Sequence, residues 1–422
     1  MEGPQLRPLC HLVRFGRDNP PGAGGPEGCR WAITPRGAAS PGSVASVLFP
    51  AAVEHRRRLH RVGRCGLVRT LFSVGGRTRE HRLNSEIDSA GAGDGDPGHE
   101  VGPRLEEFGH QPVMVEPIVE LFASIPEGTV LDATVGGGGH AEALLDRYPQ
   151  LDLLGLDRDL VALAAAQRRL ARFGKRVRLI HTRFDRVAEV LAGVTGAASV
   201  ARSGGLVGCL FDLGVSSPQL DRAERGFSYR FDAPLDMRMD STQSRTAAEV
   251  LNETSERDLE RILRVYGDEP SARRIARAVV ARRPLLRTGE LVEVLEGAIP
   301  APARRRGGHP AKRTFQAIRI EVNNELDVLA PGLDAAIEAL APGGRVAVLA
   351  YHSGEDRIVK ARLRHYETGG CTCPPQLGCS CGALRQLRLA WRGARRPSQT
   401  ELARNPRAES ARLRAATKLE AS

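Results

Sequence analysis

The apolar residues beyond position 110 fall into five short runs, separated by stretches with helical periodicity. Short apolar runs bounded by polar residues are typical of strands buried on both faces of a sheet. One intervening stretch, residues 159–173, is rich in Ala, Leu and Arg, and Asp159 can cap its first helical turn. Alternating strands and helices predict an α/β fold with a parallel, doubly wound sheet. The predicted strands are residues 129–132, 153–157, 177–181, 206–212 and 345–351.

The interval between the fourth and fifth predicted strands, about 130 residues, is too long for a single crossover helix. It contains helical patterns at residues 255–266 and 271–282. We therefore expect a mostly helical insertion inside the sheet domain. The predicted parts are 106–220 for the first part of the sheet domain, 221–313 for the insertion, and 314–422 for the second part with a basic C-terminal tail.

Residues 1–105 lack this pattern and contain several stretches rich in Gly and Pro. Such a composition predicts a disordered N-terminal extension, unless the segment is not native sequence. The Arg-rich, acid-poor residues 1–82 also resemble an organelle transit peptide in composition. The chain has no apolar run of about 18 residues, so we expect no membrane partner.

The formal net charge of +11 is unevenly distributed along the chain. Basic residues are concentrated in segments 1–82, 257–313 and 385–418, which leaves the remainder acidic. The second and third segments predict a polyanionic partner. Within the second, residues 304–313 read RRRGGHPAKR, which is typical either of a flexible phosphate-binding loop or of a solvated charged loop.

The cysteine pattern indicates a reducing compartment, because no secretory signal opens the chain. Four thiolates in one tight cluster are able to hold Zn²⁺, and the alternative is a surface hairpin of reduced thiols. We assign no metal to the predicted active site. The clustered residues are Cys371, Cys373, Cys379 and Cys381.

A glycine-rich turn and an acidic residue follow the first two predicted strands. Gly136–Gly139 allows a tight turn and a close approach of backbone to ligand, and the next helix begins near His140. The second strand ends in Asp157, where a carboxylate accepts both hydroxyls of a ribose. These features predict a nucleoside-bearing cofactor at the carboxyl edge of the sheet.

The glycine turn alone does not choose the cofactor, since it also fits a dinucleotide fingerprint or a turn that serves packing. The polar loop 212–219 after the fourth strand favours an amino-group methyltransferase, whose target nitrogen needs acceptors beside the methyl donor. A nucleotide-dependent dehydrogenase needs no such loop. A DNA amino-methyltransferase usually has Asp/Asn-Pro-Pro-aromatic there, whereas this loop reads DLGVSSPQ. The remaining alternative is an RNA-binding protein with a vestigial fold.

Several long motifs resemble one family, the MraW-like methyltransferases that modify cytosine N4 in small-subunit ribosomal RNA. The resemblance covers about residues 108–419. The motifs, in chain order, are DLGVSSPQLD at 212–221, ERGFS at 224–228, PLDMRMD at 234–240, RTFQAIR at 313–319 and NPRAESARLR at 405–414.

The resemblance implies a Rossmann-like class I methyltransferase sheet, S-adenosyl-L-methionine as donor, and an insertion that recognises substrate. It implies the decoding-centre cytosine at 16S rRNA position 1402 as the target, and the small ribosomal subunit as partner. Bacterial members imply the cytoplasm, or a mitochondrion if residues 1–82 are a transit peptide. Asp157 would take the ribose and Phe184 would flank the adenine. The implied donor-binding residues are Gly138, Gly139, His140, Asp157, Phe184, Asp212 and Gln219.

Asp212 is the candidate catalytic residue. Cytosine's exocyclic amine is a poor nucleophile, because its lone pair is delocalised into the ring, and acceptors at its N–H groups favour attack. Asp212 either accepts from this amine or positions the donor's amino group. His352 and Ser353 either line the base pocket or cap a turn. We expect His140 to have a backbone role rather than to act as an acid or base.

Two further expectations concern charged residues and departures from the family. Asp236 and Asp240 are expected to pair with Arg238 and nearby arginines. Where the family commonly reads Phe-His-Ser-Leu-Glu-Asp-Arg, residues 351–357 read YHSGEDR, and Gly354 removes an apolar contact. Glu409 stands where a basic residue is usual, within the terminal segment that we expect to fold back over the substrate cleft.

Overall fold

The computed structural model describes residues 112–193, 200, 204–300, 309–374, 376 and 380–420, all within the compact unit Pro97–Ser422. The expectations for residues 1–105 and for the arginines at 304–306 lie outside the described residues, as does Cys379. In the part of the chain that is described, no helix is both long and apolar enough to cross a membrane.

A seven-stranded sheet organises the domain, with strand order β3-β2-β1-β4-β5-β7-β6. The first five strands are parallel, and all five coincide with predicted strands. This confirms the predicted α/β class. The strands are β1 Gly128–Asp132, β2 Leu151–Asp157, β3 Val177–His181, β4 Leu206–Asp212, β5 Leu340–Ala350, β6 Leu387–Leu389 and β7 Arg412–Lys418.

The expectation of a wholly parallel sheet was wrong at one edge. Strand β7 runs antiparallel to β5, and the short β6 runs antiparallel to β7. Their sequences, RLRAATK and LRL, lack the continuous apolar run that marks the other strands. Their apolar positions are few, so pairing with β5, rather than local pattern, determines these two strands.

Alternating side chains of the parallel strands feed two separate hydrophobic cores, one on each face of the sheet. Val130 and Leu131 are neighbours on β1 and belong to different cores. On β5, Ala347 packs on one face, whereas Val346 and Val348 pack on the other. Burial on both faces holds the carboxyl ends of these strands in a fixed relation to one another.

The helices cover both faces of the sheet and build a third core between β4 and β5. Asp159 accepts a hydrogen bond from the Val161 N–H at 2.9 Å and so caps its helix, as predicted. The helices are α1 Val115–Leu121, α2 Gly139–Arg147, α3 Leu160–Leu170, α4 Val187–Gly193, α5 Ser217–Asp221, α6 Ala247–Glu253, α7 Glu256–Gly267, α8 Ala272–Arg282, α9 Thr288–Ala298, α10 Ala311–Asn323, α11 Leu329–Glu338, α12 Ser353–Thr368 and α13 Gln399–Arg404.

Helices α6 to α10 enclose the third core, which extends from Phe227 to Val322. Helix α10 crosses the limit at 313/314 that the sequence suggested for the insertion, and its Phe315 and Ile318 lie in this core. At its end, the Asn323 side chain donates to Met237 O at 2.7 Å and accepts from Met239 N–H at 2.8 Å. These bonds fasten the loop after β4 to α10.

Candidate active site

A large cavity opens at the carboxyl ends of β1, β2, β4 and β5, with a volume of about 1310 Å³. This edge is where ligands bind in open parallel sheets. The glycine turn after β1 and the loop after β4 form the base of the cavity. The insertion contributes residues 227–231, and the C-terminal segment 404–407 closes another side. The expected return of the terminal segment over the cleft is therefore observed.

Asp157 is fixed by the glycine turn at the end of β2. Its Oδ2 accepts from the Gly136 N–H and its Oδ1 from the Asp159 N–H, both at 2.8 Å. Burial raises the pKa of Asp157 to about 6, although these backbone bonds oppose the shift. The carboxylate is thereby oriented on the cavity wall, with lone pairs that suit the two hydroxyls of a ribose.

The glycines of the turn face different directions. Gly136, with φ of 52°, lies on the cavity wall together with Gly137 and Gly139. Gly138, with φ of 82°, instead faces α3, where an added Cβ would lie 3.2 Å from Leu170. Of the two glycines predicted to bind the donor, the structure places Gly139 on the cavity wall and Gly138 behind it. A side chain at Gly138 would strain the positive φ and require Leu170 to move by a few tenths of an ångström.

Asp212 ends β4 and contacts two elements besides its own. Its Oδ1 accepts from the Tyr351 hydroxyl at 2.7 Å, and its Oδ2 lies 3.5 Å from His140 Nδ1. The side chain is 27% exposed, toward the cavity. Burial raises the pKa of Asp212, whereas His140 and the Tyr351 hydrogen bond oppose the rise. The carboxylate is thus held in place while it is accessible to a ligand.

His140 lies in the first turn of α2, buried beside Asp212. Its Nε2 is 2.8 Å from Val113 O, and a carbonyl only accepts hydrogen bonds, so Nε2 has the hydrogen. The backbone role expected of His140 is therefore present. The other ring nitrogen, Nδ1, lies 3.5 Å from Asp212 Oδ2.

Gln219 connects the loop after β4 to α3. Its Nε2 donates to Asp159 Oδ2 at 2.9 Å and its Oε1 accepts from the Ser216 N–H at 3.0 Å. Arg225 donates to the same Asp159 oxygen at 3.0 Å. Gln219 lies on the cavity wall, but these protein contacts occupy its amide. The arrangement holds the loop after β4 at Ser216.

Phe184 lies on the cavity wall beyond the end of β3. Its ring meets Phe211 edge to face, with 5.7 Å between centroids. It packs so closely on α11 that a Cβ added to Gly332 would lie 2.5 Å from Phe184 Cδ2. A rigid apolar wall near Asp157 suits the flat face of an adenine.

The predictions from the sequence did not include Glu355 and Glu325, two carboxylates of the site, because they act through loops and helix ends. Glu355 accepts from the Tyr351 N–H at 2.7 Å and holds the turn after β5. Burial raises the pKa of Glu355, but His352 and Arg319 bring it below its usual value. Arg319 also donates to both oxygens of Glu325, at 2.8 and 2.9 Å. The sequence does contain a signal for Glu355, because it stands three residues after His352 in YHSGEDR, a spacing that fits a helix cap.

His352 and Ser353, which were expected either to line the base pocket or to cap a turn, have different partners. His352 caps α12 by accepting from the Glu355 N–H at 3.4 Å, and it also lines the cavity. Ser353 donates to Asp268 of the insertion at 2.6 Å. An added Cβ at Gly354 would lie 3.2 Å from Leu326 Cδ1, so this position is tightly packed.

The two carboxylates of PLDMRMD have different partners. Asp236 pairs with Arg238 as expected, through bonds of 2.7 and 2.9 Å. Asp240 instead accepts from the backbone and hydroxyl of Thr242, with His181 at 3.9 Å. Both carboxylates stabilise local structure and lie outside the cavity wall.

Three carboxyl groups lie at neighbouring strand ends, and burial raises the pKa of each. Asp132 lies buried at the end of β1, and burial raises its pKa to about 8, with Asp212 and Asp157 adding to the shift. A sulfonium and an ammonium group near these carboxyls would favour their ionised forms. The residues present therefore fit S-adenosyl-L-methionine, with Asp157 at its ribose and Phe184 at its adenine.

The sheet order and this pocket define a class of protein, the Rossmann-like class I methyltransferases that use S-adenosyl-L-methionine. Residues 107–419 match the MraW methylase family. The chain belongs to that family, and S-adenosyl-L-methionine is its cofactor.

Individual relatives agree with the family match. The ribosomal RNA small subunit methyltransferase H of Heliobacterium modesticaldum is 50% identical over 319 residues, which cover 74% of this chain and 99% of that protein. That of Frankia alni is 54% identical over 316 residues, covering 73% and 94%. Among solved structures, an rRNA methylase from Streptococcus thermophilus has 10% identity and a TM-score of 0.31, covering 72% of this chain and 94% of that one.

Proposed function

We propose that this methyltransferase modifies the exocyclic N4 amine of a cytosine in small-subunit ribosomal RNA, at the decoding-centre position 1402 of 16S rRNA. The observation that carries the proposal is Asp212, a restrained carboxylate that opens into a cavity large enough for a donor and a base. The names of the relatives support an rRNA substrate. The family resemblance of the motif DLGVSSPQLD supports cytosine N4.

Asp212 acts on the amine. The Tyr351 hydroxyl occupies Oδ1, so Oδ2 is the oxygen that accepts an N–H of the target amine. Backbone carbonyls of residues 213–215 accept the other N–H, in a loop that Gln219 holds at Ser216. Both contacts localise the nitrogen lone pair and direct it along the line of attack. When bound, S-adenosyl-L-methionine supplies an electrophilic methyl group on its sulfonium.

Proton removal accompanies methyl transfer and uses Asp212. The nitrogen passes one proton to Asp212 Oδ2 as it gains a bond to carbon. His140, held by Val113 O and 3.5 Å from that oxygen, keeps the carboxylate in place. No strong base is needed, since the alkylated amine is acidic.

The remaining donor contacts come from the glycine turn and β2. Asp157 accepts the ribose hydroxyls, the N-terminal turn of α2 at Gly139 and His140 lies beside the methionyl part, and Phe184 flanks the adenine. Gly138 acts indirectly, since it sets the turn against α3. Gln219 orients the loop after β4 rather than touching the donor through its amide.

Three cations at the cavity mouth bind the RNA backbone. Arg230, Lys312 and Arg404 line the cavity, are exposed, and have no acidic partner among the described residues. They come from the loop after β4, α10 and α13, and so surround the opening. Arg407, in contrast, is committed to a paired contact with Asp221. Phosphate contacts from these three residues would set the register of the RNA.

Different segments of the chain carry out methyl transfer and substrate recognition. Residues 106–220 and the chain after α10 form the methyl-transfer domain, and residues 221–313, completed by α10, recognise substrate. The small ribosomal subunit is the partner, and the bacterial relatives favour the cytoplasm as the compartment.

The test incubates the purified chain with methyl-labelled S-adenosyl-L-methionine and small ribosomal subunits, then digests the RNA to nucleosides. We expect label in N4-methylated cytidine from one site near the decoding centre. Free DNA and large subunits serve as competing substrates. Label in another base, in DNA, or in no nucleic acid would refute the proposal.

A further inference from the structure

The segment between α12 and β6, residues 369–386, has neither a helix nor a strand among its described residues. From position 371 to 386, no described residue is buried, and Leu384 is 64% exposed. A connection of this length inside a compact domain usually needs packing of its own. Buried apolar side chains do not provide such packing in the described part of this segment.

Both ends of this segment are nevertheless held. The Gln386 N–H donates to Tyr366 O at 2.9 Å, and the Leu419 N–H donates to Gln386 O at 2.8 Å. Gly369 adopts φ of 63° and lies against Leu384, whose carbonyl oxygen would be 2.3 Å from an added Cβ. The segment therefore leaves α12 and returns beside it, like a closed loop.

Three cysteine sulfurs meet inside the loop. The Sγ atoms of Cys371, Cys373 and Cys381 lie within 4.8 Å of one another. The Cys373 N–H also donates to Cys371 Sγ at 3.4 Å, the type of bond that orients a thiolate ligand. In a tetrahedral zinc site with Zn–S bonds of about 2.3 Å, sulfurs are about 3.8 Å apart. A shift of about 1 Å in an exposed loop is enough to reach that spacing.

We propose that Cys371, Cys373 and Cys381 bind a structural zinc ion. Soft thiolate ligands in a compact group select zinc over harder divalent cations. None of the three lines the cavity, so the ion supports the fold rather than the chemistry. The zinc ion joins the start of the loop after α12 to the stretch before β6. It thereby stabilises a segment in which no described residue from 371 to 386 is buried. Cys379 lies outside the described residues, and the experiment tests it separately.

The first measurement is metal content of the full chain, purified without chelator and dialysed against metal-free buffer. We expect about one zinc ion per chain, released by a thiol-modifying reagent. Cys371→Ser and Cys373→Ser should each lose most of the zinc. Cys209→Ala, which removes a buried cysteine of β4, and Thr372→Ala, an exposed position in the same loop as the three cysteines, should retain it.

The second measurement needs no variant and so does not depend on variant folding. Cobalt(II) added to the metal-stripped protein should give sulfur-to-cobalt charge-transfer absorption of tetrahedral type. Its intensity distinguishes three thiolates from four, and Cys379→Ser should lower it only if that residue is a ligand. Absence of both zinc and the cobalt absorption, or zinc that survives Cys371→Ser and Cys373→Ser together, would overturn the proposal. Iron or acid-labile sulfide in place of zinc would do so as well.

A third readout separates this site from methyl transfer. Stripping zinc should lower the thermal unfolding midpoint of the wild-type chain and leave that of the Cys371→Ser, Cys373→Ser double variant unchanged. Donor affinity measured below the unfolding transition should stay the same, since the site lies away from the cavity. A metal-free protein that loses donor binding while its stability is unaltered would contradict a structural role.

Discussion

The phenolic hydroxyl of Tyr351, just beyond β5, donates to Oδ1 of Asp212 at the end of β4, at 2.7 Å. The bond stabilises the ionised carboxylate and opposes the rise that burial gives to the pKa of Asp212. The hydroxyl contacts Oδ1 and leaves Oδ2 to a ligand, so it adjusts the carboxylate rather than taking part in the transfer.

Tyr351→Phe should shift the pH profile without abolishing activity. Loss of the bond raises the pKa of Asp212 further. Because the proposed mechanism uses the carboxylate, the acid side of the pH profile should move to higher pH. A hydrogen bond to a charged group is worth about 1.5 kcal/mol, enough to move the acid side of the profile measurably. The measurement is kcat against pH, with Tyr366→Phe as control, since that hydroxyl bonds Glu338 away from the cavity. A variant profile that superimposes on the wild type contradicts the coupling.

Asp212→Asn should reduce kcat by about a hundredfold or more, because the amide cannot accept the proton of the amine. If Asp212 acts on the target amine, the donor dissociation constant changes little. A large loss of donor affinity with an unchanged rate at saturation would instead assign Asp212 to the donor's amino group. Asp240→Asn is the control, since that carboxylate is bonded to Thr242 outside the cavity wall.

Much of this site is predictable because its residues stand at strand ends, where local pattern and position agree. Runs such as residues 206–212 locate β4, and Asp157 follows from the end of β2. The contact between Tyr351 and Asp212 is different, because it joins residues 139 positions apart. Strands β6 and β7 are short or rich in Arg and Ala, so their place depends on pairing with β5 and not on a local apolar run.

The orientation of individual glycines also escapes the sequence. Gly138 and Gly139 are adjacent and chemically identical, yet Gly138 packs on Leu170, whereas Gly139 packs on Pro112 and lies on the cavity wall. The direction in which α2 leaves the turn determines which of the two glycines lies on the cavity wall. Similarly, α10 continues the insertion beyond residue 313, because Phe315 and Ile318 complete its core.

Donor binding should weaken in acid through Asp157. Its pKa is raised to about 6, and the carboxylate is the form that accepts ribose hydroxyls. The donor dissociation constant should therefore rise as the pH falls through 6, below the range in which Asp132, with a pKa of about 8, titrates. Asp157→Asn should bind the donor about tenfold or more weakly, with this pH dependence gone. Titration calorimetry from pH 5 to 8 provides the measurement, and Asp152→Asn, in the same strand at its opposite end, is the control.

RNA affinity should depend on the three cations at the cavity mouth. Each phosphate contact releases counterions, so log K falls with log salt by about 0.7 per contact on single-stranded RNA. Replacing Arg230, Lys312 and Arg404 together by Ala should lower the magnitude of this slope by about 2, with the donor dissociation constant unchanged. The matched control removes two arginines and a lysine that are exposed but not on the cavity wall: Arg168, Lys175 and Arg178. Equal slopes for the two triple variants would show that the cavity mouth is not the surface that holds the RNA backbone.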